Sequence, residues 1–318
     1  MASFDARPAT VESVGVFLRS RIGADITDLI ALVSGGWSNA FAYRHGGRAW
    51  VIRFSALEED FRKDERVVRH ASSDLPIPQV VKVGPVGDGF YAISERLSGD
   101  VLETIDGPRF RRLLASLMGT LDAMRLADVS DSTGYGGWGA DGVGGYSSWR
   151  AMLLDAASDR SSQRTHGWRA KLAASPTGDG PFLEAHGVLT SLAGDLPEAR
   201  HLIHSDFMNR NVLVEDDRVS AVFDWGCAMY GDFLFDLAWI DFWAPWSPAW
   251  KGIDIVEAAI RHFDAIGLDV PQFADRLRAC QIYIGLDSQG YQAFKGFWSD
   301  LEQTAARTLV VAGLSPQR

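Results

Sequence analysis

The chain has little cysteine for its length. Among its 318 residues only Cys227 and Cys280 carry a thiol. Two cysteines in so long a chain do not make the disulfide framework of a small secreted domain, so we expect a reduced, cytoplasmic protein. Both thiols are expected to pack in the core rather than to act as nucleophiles.

Long apolar runs and a leader segment are also missing. The most apolar stretch, residues 233–246, is interrupted by Asp236 and Asp241 and predicts no membrane-spanning helix. The first 20 residues include Asp5 and Glu12 and have no uninterrupted apolar segment, which argues against a signal peptide. We therefore expect neither membrane insertion nor secretion.

Positive charge is in deficit. The 31 Lys and Arg residues face 41 Asp and Glu residues, a formal net charge of −10. Nucleic-acid binding needs a basic surface, so we expect no nucleic-acid partner. An acidic balance is compatible with a small cationic substrate. The length suffices for one large domain or for two lobes, each with its own core.

Two common nucleotide-binding motifs are excluded. Residues 134–139 match G-x-G-x-x-G, but the pattern follows a predicted helix, whereas a dinucleotide site needs it between a strand and a helix. No lysine follows a glycine in the G-K-[ST] arrangement of a P-loop. A nucleotide would therefore have to bind by another arrangement.

The most informative stretch is residues 204–211, which match H-x-D-x-x-x-x-N, a pattern typical of phosphoryl-transfer catalytic loops. A short apolar run at 212–214, a turn-rich break and a second strand-like run predict a hairpin. In an antiparallel hairpin Asn211 would lie beside Asp224, with Asp206 one loop earlier. Two oxygen ligands next to a third carboxylate suit Mg²⁺.

The same residues also allow a purely structural interpretation. In it Asp206 and Asn209 cap a polar loop, and Asp224 is the N-cap of the next helical turn. We consider it the weaker alternative, because the eight-residue pattern, the hairpin and the strand-end Asp occur together.

The first third of the chain predicts a short helix followed by an antiparallel sheet. The helix covers residues 11–21, strand-like runs cover 29–33, 40–43, 49–54, 79–83 and 90–94, and a second helix at 57–71 lies between the third and fourth strands. The first connection contains small residues whose backbone N–H groups suit phosphate, namely Ser34, Gly35, Gly36 and Ser38. Arg53, near the end of the third strand, is expected on the same side.

Beyond a hinge at residues 94–99 the pattern becomes mainly helical. Helices are predicted at 108–127, 148–157, 181–193, 232–242, 255–265, 272–286 and 291–312. The predicted fold is α+β. A small N-terminal nucleotide-binding lobe, residues 1–95, holds a five-stranded antiparallel sheet with one inserted helix, and a larger, mainly helical lobe, residues 96–318, carries the catalytic and substrate-binding residues.

Several stretches resemble the aminoglycoside phosphotransferases, and the resemblance runs along nearly the whole chain. The matching stretches are residues 48–53, 75–78, 142–150, 200–207, 221–225, 228–232, 242–246 and 284–287. The catalytic motifs belong to a wider superfamily, whereas GVGGYSSWR at 142–150 and FWAPW at 242–246 resemble the hygromycin B branch. The resemblance implies a protein-kinase-like two-lobed fold with the nucleotide in the cleft.

The resemblance also implies roles by matching position. Asp206 is similar to the catalytic base, and Asn211 and Asp224 are similar to the Mg²⁺ ligands. His204 resembles the residue that supports the catalytic loop. Asp232 resembles the residue that caps the following helix and braces that loop.

The nucleotide side departs from the usual pattern of the family. The third-strand position that usually carries a phosphate-contacting Lys is Arg53, and its acidic partner on the inserted helix aligns with Asp64. A longer Arg can reach a shorter Asp across a similar span, and Arg binds phosphate in a bidentate manner. The alternative for Arg53 is a surface salt bridge of little energetic value. Glu95 and Arg96, at the hinge, complete the predicted ATP-binding residues.

Acidic and aromatic side chains are predicted to bind the acceptor. They are Tyr146, Trp149, Trp239, Asp241, Trp243, Trp246 and Asp287. Carboxylates bind ammonium groups, and aromatic faces stack on sugar rings or attract cations. For each aromatic residue the alternative is core packing, and the two interpretations stay open for Trp149 and Trp239.

The resemblance implies an enzyme that transfers the γ-phosphoryl group of ATP, with Mg²⁺, to a hydroxyl of an aminoglycoside. Hygromycin B is the expected substrate, antibiotic resistance the expected role, and a monomer the expected state. Two alternatives remain. One is a kinase of the same fold acting on choline, homoserine or a methylthio-sugar. The other is a nucleotide-binding pseudokinase that regulates a partner.

Overall fold

The computed structural model describes residues 10–33, 37–208 and 210–315. Its N-terminal elements are α1 (Val11–Arg21), β1 (Thr27–Ala31), β2 (Ser38–His45), β3 (Arg48–Ser55), α2 (Glu58–Val67), β4 (Val80–Val86) and β5 (Gly89–Glu95). The five strands pair antiparallel in the order β1-β2-β3-β5-β4. The predicted five-stranded sheet with an inserted helix between its third and fourth strands is confirmed.

Side chains along β3 alternate between the two faces of the sheet, one of which packs in a core while the other lines a cleft. Ile52 and Phe54 are fully buried against α1. The intervening residues Val51 and Arg53 line the cleft instead. Successive side chains of a strand point to opposite faces, so this central strand carries Arg53 into the cleft while its neighbours fix the strand in place.

Aromatic packing ties α1 to the back of the sheet. The ring centroid of Phe17 lies 5.7 Å from that of Phe54 and 5.0 Å from that of Tyr91, both in edge-to-face geometry. Such pairs contribute roughly 0.5–1.5 kcal/mol beyond their buried area. The sheet that bears Arg53 is therefore rigidly supported from its far side.

The remainder of the chain is mainly helical with short strands. Its elements are β6 (Asp100–Val101), α3 (Gly107–Leu126), β7 (Tyr135–Trp138), β8 (Gly144–Tyr146), α4 (Trp149–Leu154), α5 (Trp168–Ala173), α6 (Gly180–Ala193), β9 (His201–Ile203), β10 (Val212–Glu215), β11 (Arg218–Val222), β12 (Met229–Gly231), α7 (Leu234–Trp243), α8 (Ile255–Ala265), α9 (Phe273–Lys295) and α10 (Trp298–Val311). The strands form two small sheets, ordered β11-β10-β6 and β8-β7-β12-β9.

The last two helices differ from the prediction. A closing helix was expected from residue 291, but α9 continues to Lys295 and α10 begins only at Trp298. Gly296 has φ +78° and ends α9 with its backbone N–H bonded back into the helix. A glycine in this left-handed conformation is a common helix terminator. The longer α9 carries Tyr291 to the wall of the cleft.

The described residues form two apolar cores. The smaller lies between α1 and the sheet, and the larger fills the helical part. β5 ends at Glu95, but Val67, Leu75 and Ile77 already pack into the larger core. The division at residue 95 therefore stays a prediction. Within the described ranges, no helix is both long enough and apolar enough to cross a membrane.

Candidate active site

The catalytic loop connects β9 to β10 and is fixed by Asp236 of α7. The two carboxylate oxygens of Asp236 accept the backbone N–H groups of His204 and Ser205, each at 2.8 Å. Burial raises the pKa of Asp236 to about 7, while the two N–H donors favour the ionised form. Ser205 has φ +62°, a conformation that persists only where the surroundings enforce it, as these two bonds do.

His204 joins this loop to the strand that leads to Asp224. Its Nε2 lies 3.0 Å from the carbonyl oxygen of Phe223, and its Nδ1 accepts the backbone N–H of Asp206 at 3.2 Å. A proton on Nε2 satisfies both bonds. Burial lowers the pKa of His204 to about 4, so the ring is neutral at physiological pH. This geometry fits a supporting role rather than a chemical one.

The β10–β11 hairpin sets Asn211 next to the start of the following turn. Val212 pairs with Val222 across the hairpin, and the N–H of Phe223 donates to the carbonyl oxygen of Asn211 at 3.0 Å. The predicted hairpin is confirmed. Asp224, the next residue, therefore follows directly beside Asn211.

Asp224 turns the chain with a left-handed backbone, φ +64° and ψ +60°. The short 3₁₀ turn Trp225–Cys227 follows, and the carboxylate does not cap it. Instead the side chain is 46% exposed and lines the cleft. Asp224 therefore stands at the N-cap position of this turn, but its carboxylate does not act as a cap.

Asn211 orients Asp206. Its Nδ2 donates to the Oδ2 of Asp206 at 3.0 Å and to the backbone oxygen of Asp206 at 2.9 Å. The Oδ1 of Asn211 is thereby left for another ligand, and all three side chains of Asp206, Asn211 and Asp224 line the cleft. One amide oxygen and one carboxylate, open to water and phosphate, fit the few-ligand oxygen set that Mg²⁺ takes.

Arg53 pairs with two carboxylates. It forms a close, buried ion pair with Asp64 of α2, and its Nη1 lies 3.3 Å from Asp224 Oδ1. Its guanidinium also lies 5.3 Å from the ring centroid of Phe61. Burial acts to lower the pKa of Arg53, but attraction to Asp64 and Asp224 outweighs it and raises the pKa. With its side chain only 13% exposed, Arg53 is not part of a surface salt bridge.

The rest of the predicted nucleotide set is only partly described. Ser34, Gly35 and Gly36, together with Asn209 of the catalytic loop, lie outside the described residues. Ser38, Glu95 and Arg96 line the cleft. Glu95 pairs with Arg48, and the N–H of Arg96 donates to the carbonyl oxygen of Ala49 at 3.1 Å, so the hinge is bonded to β3.

Aromatic rings form one wall of the cleft. Trp239, Trp243 and Trp246 line it in succession, with ring centroids 6.3 Å and 5.1 Å apart. Tyr146 lines it from β8, and its hydroxyl donates to Asp155 at 2.6 Å. The structure thus brings four of the predicted aromatic residues to the same cavity.

Asp287 lines the same cavity. Its side chain is open to the cleft, yet protein atoms surround it, and this desolvation raises its pKa to about 6. In the described part of the chain no hydrogen bond or ion pair to this carboxylate is present. An unpaired carboxylate in a concave wall favours a cationic ligand.

Two predicted acceptor residues do not reach the cavity. Trp149 is 1% exposed and packs edge-to-face on Phe235, with ring centroids 6.0 Å apart. Asp241 faces α9 and α10, where it accepts from Gln281 at 2.5 Å and lies 3.7 Å from Arg307. The core-packing alternative fits Trp149, and a helix-bracing role fits Asp241.

The residue that holds the catalytic loop is not Asp232, which the resemblance had predicted. Asp232 caps α7, since it accepts the N–H of Leu234 at 3.0 Å, but its carboxylate is committed to Arg276 through two 2.8 Å bonds. The residue that holds the loop is Asp236, one helical turn later. A buried Asp in the apolar stretch 233–246 was the available signal.

Cys227 departs from the expected core position. It is exposed in the cleft, whereas Cys280 is buried as expected. Crowding by protein atoms and the nearby charge of Asp206 raise the pKa of the Cys227 thiol far above its usual range. The thiol is therefore protonated and a poor nucleophile at neutral pH.

The cavity has room for two ligands. Its volume is about 1620 Å³. Pockets for one drug-sized molecule measure roughly 300–1,000 Å³. Arg53, Asp206 of the catalytic loop and the tryptophans all line this one cavity, so a nucleotide and a second, multi-ring molecule both have space in it.

The comparisons with known proteins agree with this arrangement. The sequence profile of the phosphotransferase enzyme family matches residues 30–271. The chain is 35% identical over 288 residues to hygromycin-B 4-O-kinase of Escherichia coli, which covers 89% of this chain and 80% of the relative.

Solved structures resemble the chain along nearly its full length. Aminoglycoside phosphotransferase APH(4)-Ia superposes with a TM-score of 0.83 at 32% identity, covering 96% of this chain and 99% of that one. A thermostable mutant of that protein, in ternary complex with AMP-PNP and hygromycin B, superposes with a TM-score of 0.81 at 33% identity, covering 95% and 98%. The predicted kinase-like α+β fold is confirmed.

Proposed function

The chain belongs to the phosphotransferase enzyme family, and we propose that it transfers the γ-phosphoryl group of ATP to a hydroxyl group of hygromycin B. The observation that carries the proposal is the convergence of Asp206, Asn211, Asp224 and Arg53 on one cleft that aromatic and acidic side chains also line. The relative's name supports the 4-hydroxyl as the acceptor.

Asp206 is proposed as the base. Its carboxylate is oriented by the amide of Asn211, at 3.0 Å, and its backbone by His204. From this position it accepts the proton of the acceptor hydroxyl as the oxygen attacks the γ-phosphorus. The bond from that phosphorus to the β,γ-bridging oxygen breaks, and ADP leaves. Phosphoryl transfer has a loose transition state, so positioning and charge stabilisation provide most of the rate gain.

The opposite face of the catalytic loop is proposed to hold the phosphates. Arg53, fixed by Asp64, presents a cation beside Asp224. Asn211 Oδ1 and the Asp224 carboxylate are the oxygens that would hold Mg²⁺, which when bound neutralises phosphate charge. Ser34, Gly35 and Gly36 remain proposed phosphate contacts through their backbone N–H groups. Glu95 and Arg96 are proposed to lie beside the adenine ring of the nucleotide.

The acceptor is proposed to lie against the tryptophan wall. Trp243 and Trp246 are proposed to offer ring faces to sugar rings, and Asp287 offers an unpaired carboxylate to an ammonium group. Trp239 lines the cavity too, but it is only 9% exposed and packs mainly in the core. A cationic, multi-ring aminoglycoside has both features. Choline, homoserine or a methylthio-sugar is smaller and would leave most of a cavity of this volume to water.

A panel of acceptors tests the proposal. Hygromycin B, kanamycin, choline and a methylthio-sugar are each incubated with the protein, Mg²⁺ and either ATP or GTP, and products are examined by mass spectrometry for one added phosphoryl group. We expect phosphorylated hygromycin B with ATP as the better donor. Fragmentation or NMR of the product then locates the modified hydroxyl.

Two results would contradict the proposal. Turnover of choline or a methylthio-sugar, with hygromycin B left unmodified, would place the protein among metabolite kinases. Nucleotide binding without transfer to any acceptor would support the pseudokinase alternative. Asp206→Asn serves as the control, since its product signal should vanish while the variant still binds nucleotide.

A further inference from the structure

Lys63 is a buried ammonium group that the proposed chemistry does not use. It lies on α2, immediately before Asp64, and only 3% of the residue is exposed. Its Nζ donates to the carbonyl oxygens of Gly226 at 2.7 Å and Ala228 at 3.1 Å, and lies 4.8 Å from the ring centroid of Trp138. Within residues 10–33, 37–208 and 210–315, no carboxylate pairs with it.

Burial lowers the pKa of Lys63, so its charged form costs desolvation energy that the two hydrogen bonds must offset. An apolar residue of the same length would fill this space without the desolvation penalty. The partners of Lys63 are both backbone carbonyls of the segment that immediately follows Asp224. Its ammonium group therefore acts on the shape of that segment.

Lys63 and Asp64 hold the same turn, one by donating hydrogen bonds to its carbonyl groups and the other by accepting one from its N–H group. Lys63 donates to two carbonyl groups, and Asp64 accepts the backbone N–H of Trp225 at 2.8 Å. Asp224 enters this turn with φ +64°, a left-handed conformation that is strained for an aspartate and that its neighbours must enforce. Two adjacent residues of one helix thus fix the backbone on which the Asp224 carboxylate is mounted.

We propose that Lys63 is a positioning residue for the metal-binding turn. Through Gly226 and Ala228 it holds the Asp224 carboxylate in the orientation that accepts a Mg²⁺–nucleotide complex. The inference rests on the proposed function, because it assumes that Asp224 binds a nucleotide-bound divalent cation. Groups that support metal ligands in this way typically change metal affinity by roughly 10- to 100-fold when removed.

Calorimetric titration of nucleotide with and without Mg²⁺ tests the proposal. In Lys63→Met, which keeps the length of the side chain and removes its donors, we expect the affinity gain caused by Mg²⁺ to fall by roughly tenfold or more. Affinity for nucleotide in the presence of EDTA should change less than about twofold. Lys82→Met is the matched control, because Lys82 is exposed on β4 and should leave both affinities unchanged.

The ratio of the two affinities distinguishes positioning from mere stability. A general loss of structure would weaken binding equally with and without Mg²⁺ and would leave the ratio of the two affinities unchanged. An unchanged ratio would overturn the proposal, whether or not both affinities fall. If Lys63→Met does not fold, Lys63→Gln, which retains one amide donor, is measured in the same way and should show a smaller but selective loss. The measurement uses no acceptor. If the wild-type protein binds Mg²⁺–nucleotide but does not phosphorylate hygromycin B, only the proposed acceptor is wrong and the proposal for Lys63 is unaffected.

Discussion

The two ends of the cleft differ in how their charged groups are partnered. At the proposed nucleotide end Arg53 is bonded to both Asp64 and Asp224, and Asn211 is bonded to Asp206. At the acceptor end Asp287 has no hydrogen-bond or ion-pair partner within the described residues, and its neighbours in the wall are aromatic rings. One end is held by its own contacts before any ligand arrives, and the other is completed by the ligand.

This difference fits the task proposed for each end. Phosphoryl transfer requires charges to be fixed in advance at the reacting centre, because reorganising them during the reaction would raise the barrier. Recognition of a cationic sugar requires instead a carboxylate that is desolvated and unpaired, so that the ligand gains by pairing with it. The comparison can be tested by removing one group at a time.

The largest effect is expected at the catalytic loop. Asp206→Asn should lower kcat by roughly 100- to 10,000-fold, the usual contribution of a positioned base. Nucleotide affinity and thermal stability should stay near those of the wild type, because Asn keeps the shape of the side chain. Steady-state kinetics and calorimetry measure both. Turnover close to that of the wild type would remove Asp206 from the role of base.

Trp149 should contribute to stability rather than to recognition. Its ring is buried, and a Cβ atom added to Gly231 would lie only 2.2 Å from it. Trp149→Ala is expected to lower the free energy of unfolding by about 3–5 kcal/mol, as for other large core side chains. Urea denaturation measures this loss. If stability were unchanged and the KM for hygromycin B were raised, the prediction that Trp149 binds the acceptor would be supported instead.

Asp287 should make acceptor binding depend on pH. Its pKa is raised to about 6, so the carboxylate is charged above that pH and neutral below it, whereas ordinary amines stay protonated throughout this range. The KM for hygromycin B should therefore rise as the pH falls from 7.5 to 5. Asp287→Asn should show a KM that is roughly tenfold higher at pH 7.5, with no such pH dependence.

The same pH series supplies its own control. The KM for ATP should not follow the acceptor curve in either protein, because Asp287 belongs to the proposed acceptor site and not to the proposed nucleotide contacts. A wild-type KM for hygromycin B that is flat between pH 5 and 7.5 would show that this carboxylate is not part of the acceptor site.

The smallest effect is expected at Asp241. Its carboxylate braces α7 against Gln281 and Arg307, outside the cavity. Asp241→Asn keeps an oxygen acceptor for Gln281 and should change the KM for hygromycin B by less than about twofold, the scale of a weak, partly exposed ion pair. Trp243→Ala, on the same helix but in the wall, should raise that KM severalfold. Equal effects of the two changes would contradict the described wall.

The sequence predicted the nucleotide end better than the acceptor end, and the reason is local geometry. Asn211 and Asp224 flank one hairpin, so pairing of strands close in sequence determines that they meet. The strand pattern likewise put Arg53 near the end of the third strand of the sheet. Periodicity over a few residues is enough for such predictions.

The acceptor end depends on packing between distant segments. Trp239, Asp241 and Trp243 follow one another on α7, and only their positions around the helix decide which of them face the cleft. α7 is apolar on nearly all sides, so its sequence gives no polar face to orient it. The same ambiguity hid Asp236, whose role depends on a loop that lies 31 residues earlier.

The proposal that the cleft binds nucleotide at one end and the acceptor at the other is tested most directly by measuring the KM for ATP and the KM for hygromycin B on two variants. Arg53→Gln should raise the KM for ATP by roughly tenfold or more, the value of a lost charged hydrogen bond, and leave the KM for hygromycin B within twofold. Asp287→Asn should do the reverse at pH 7.5. If either variant raised both constants equally, or if the two effects were exchanged, the proposed division of the cleft would be wrong.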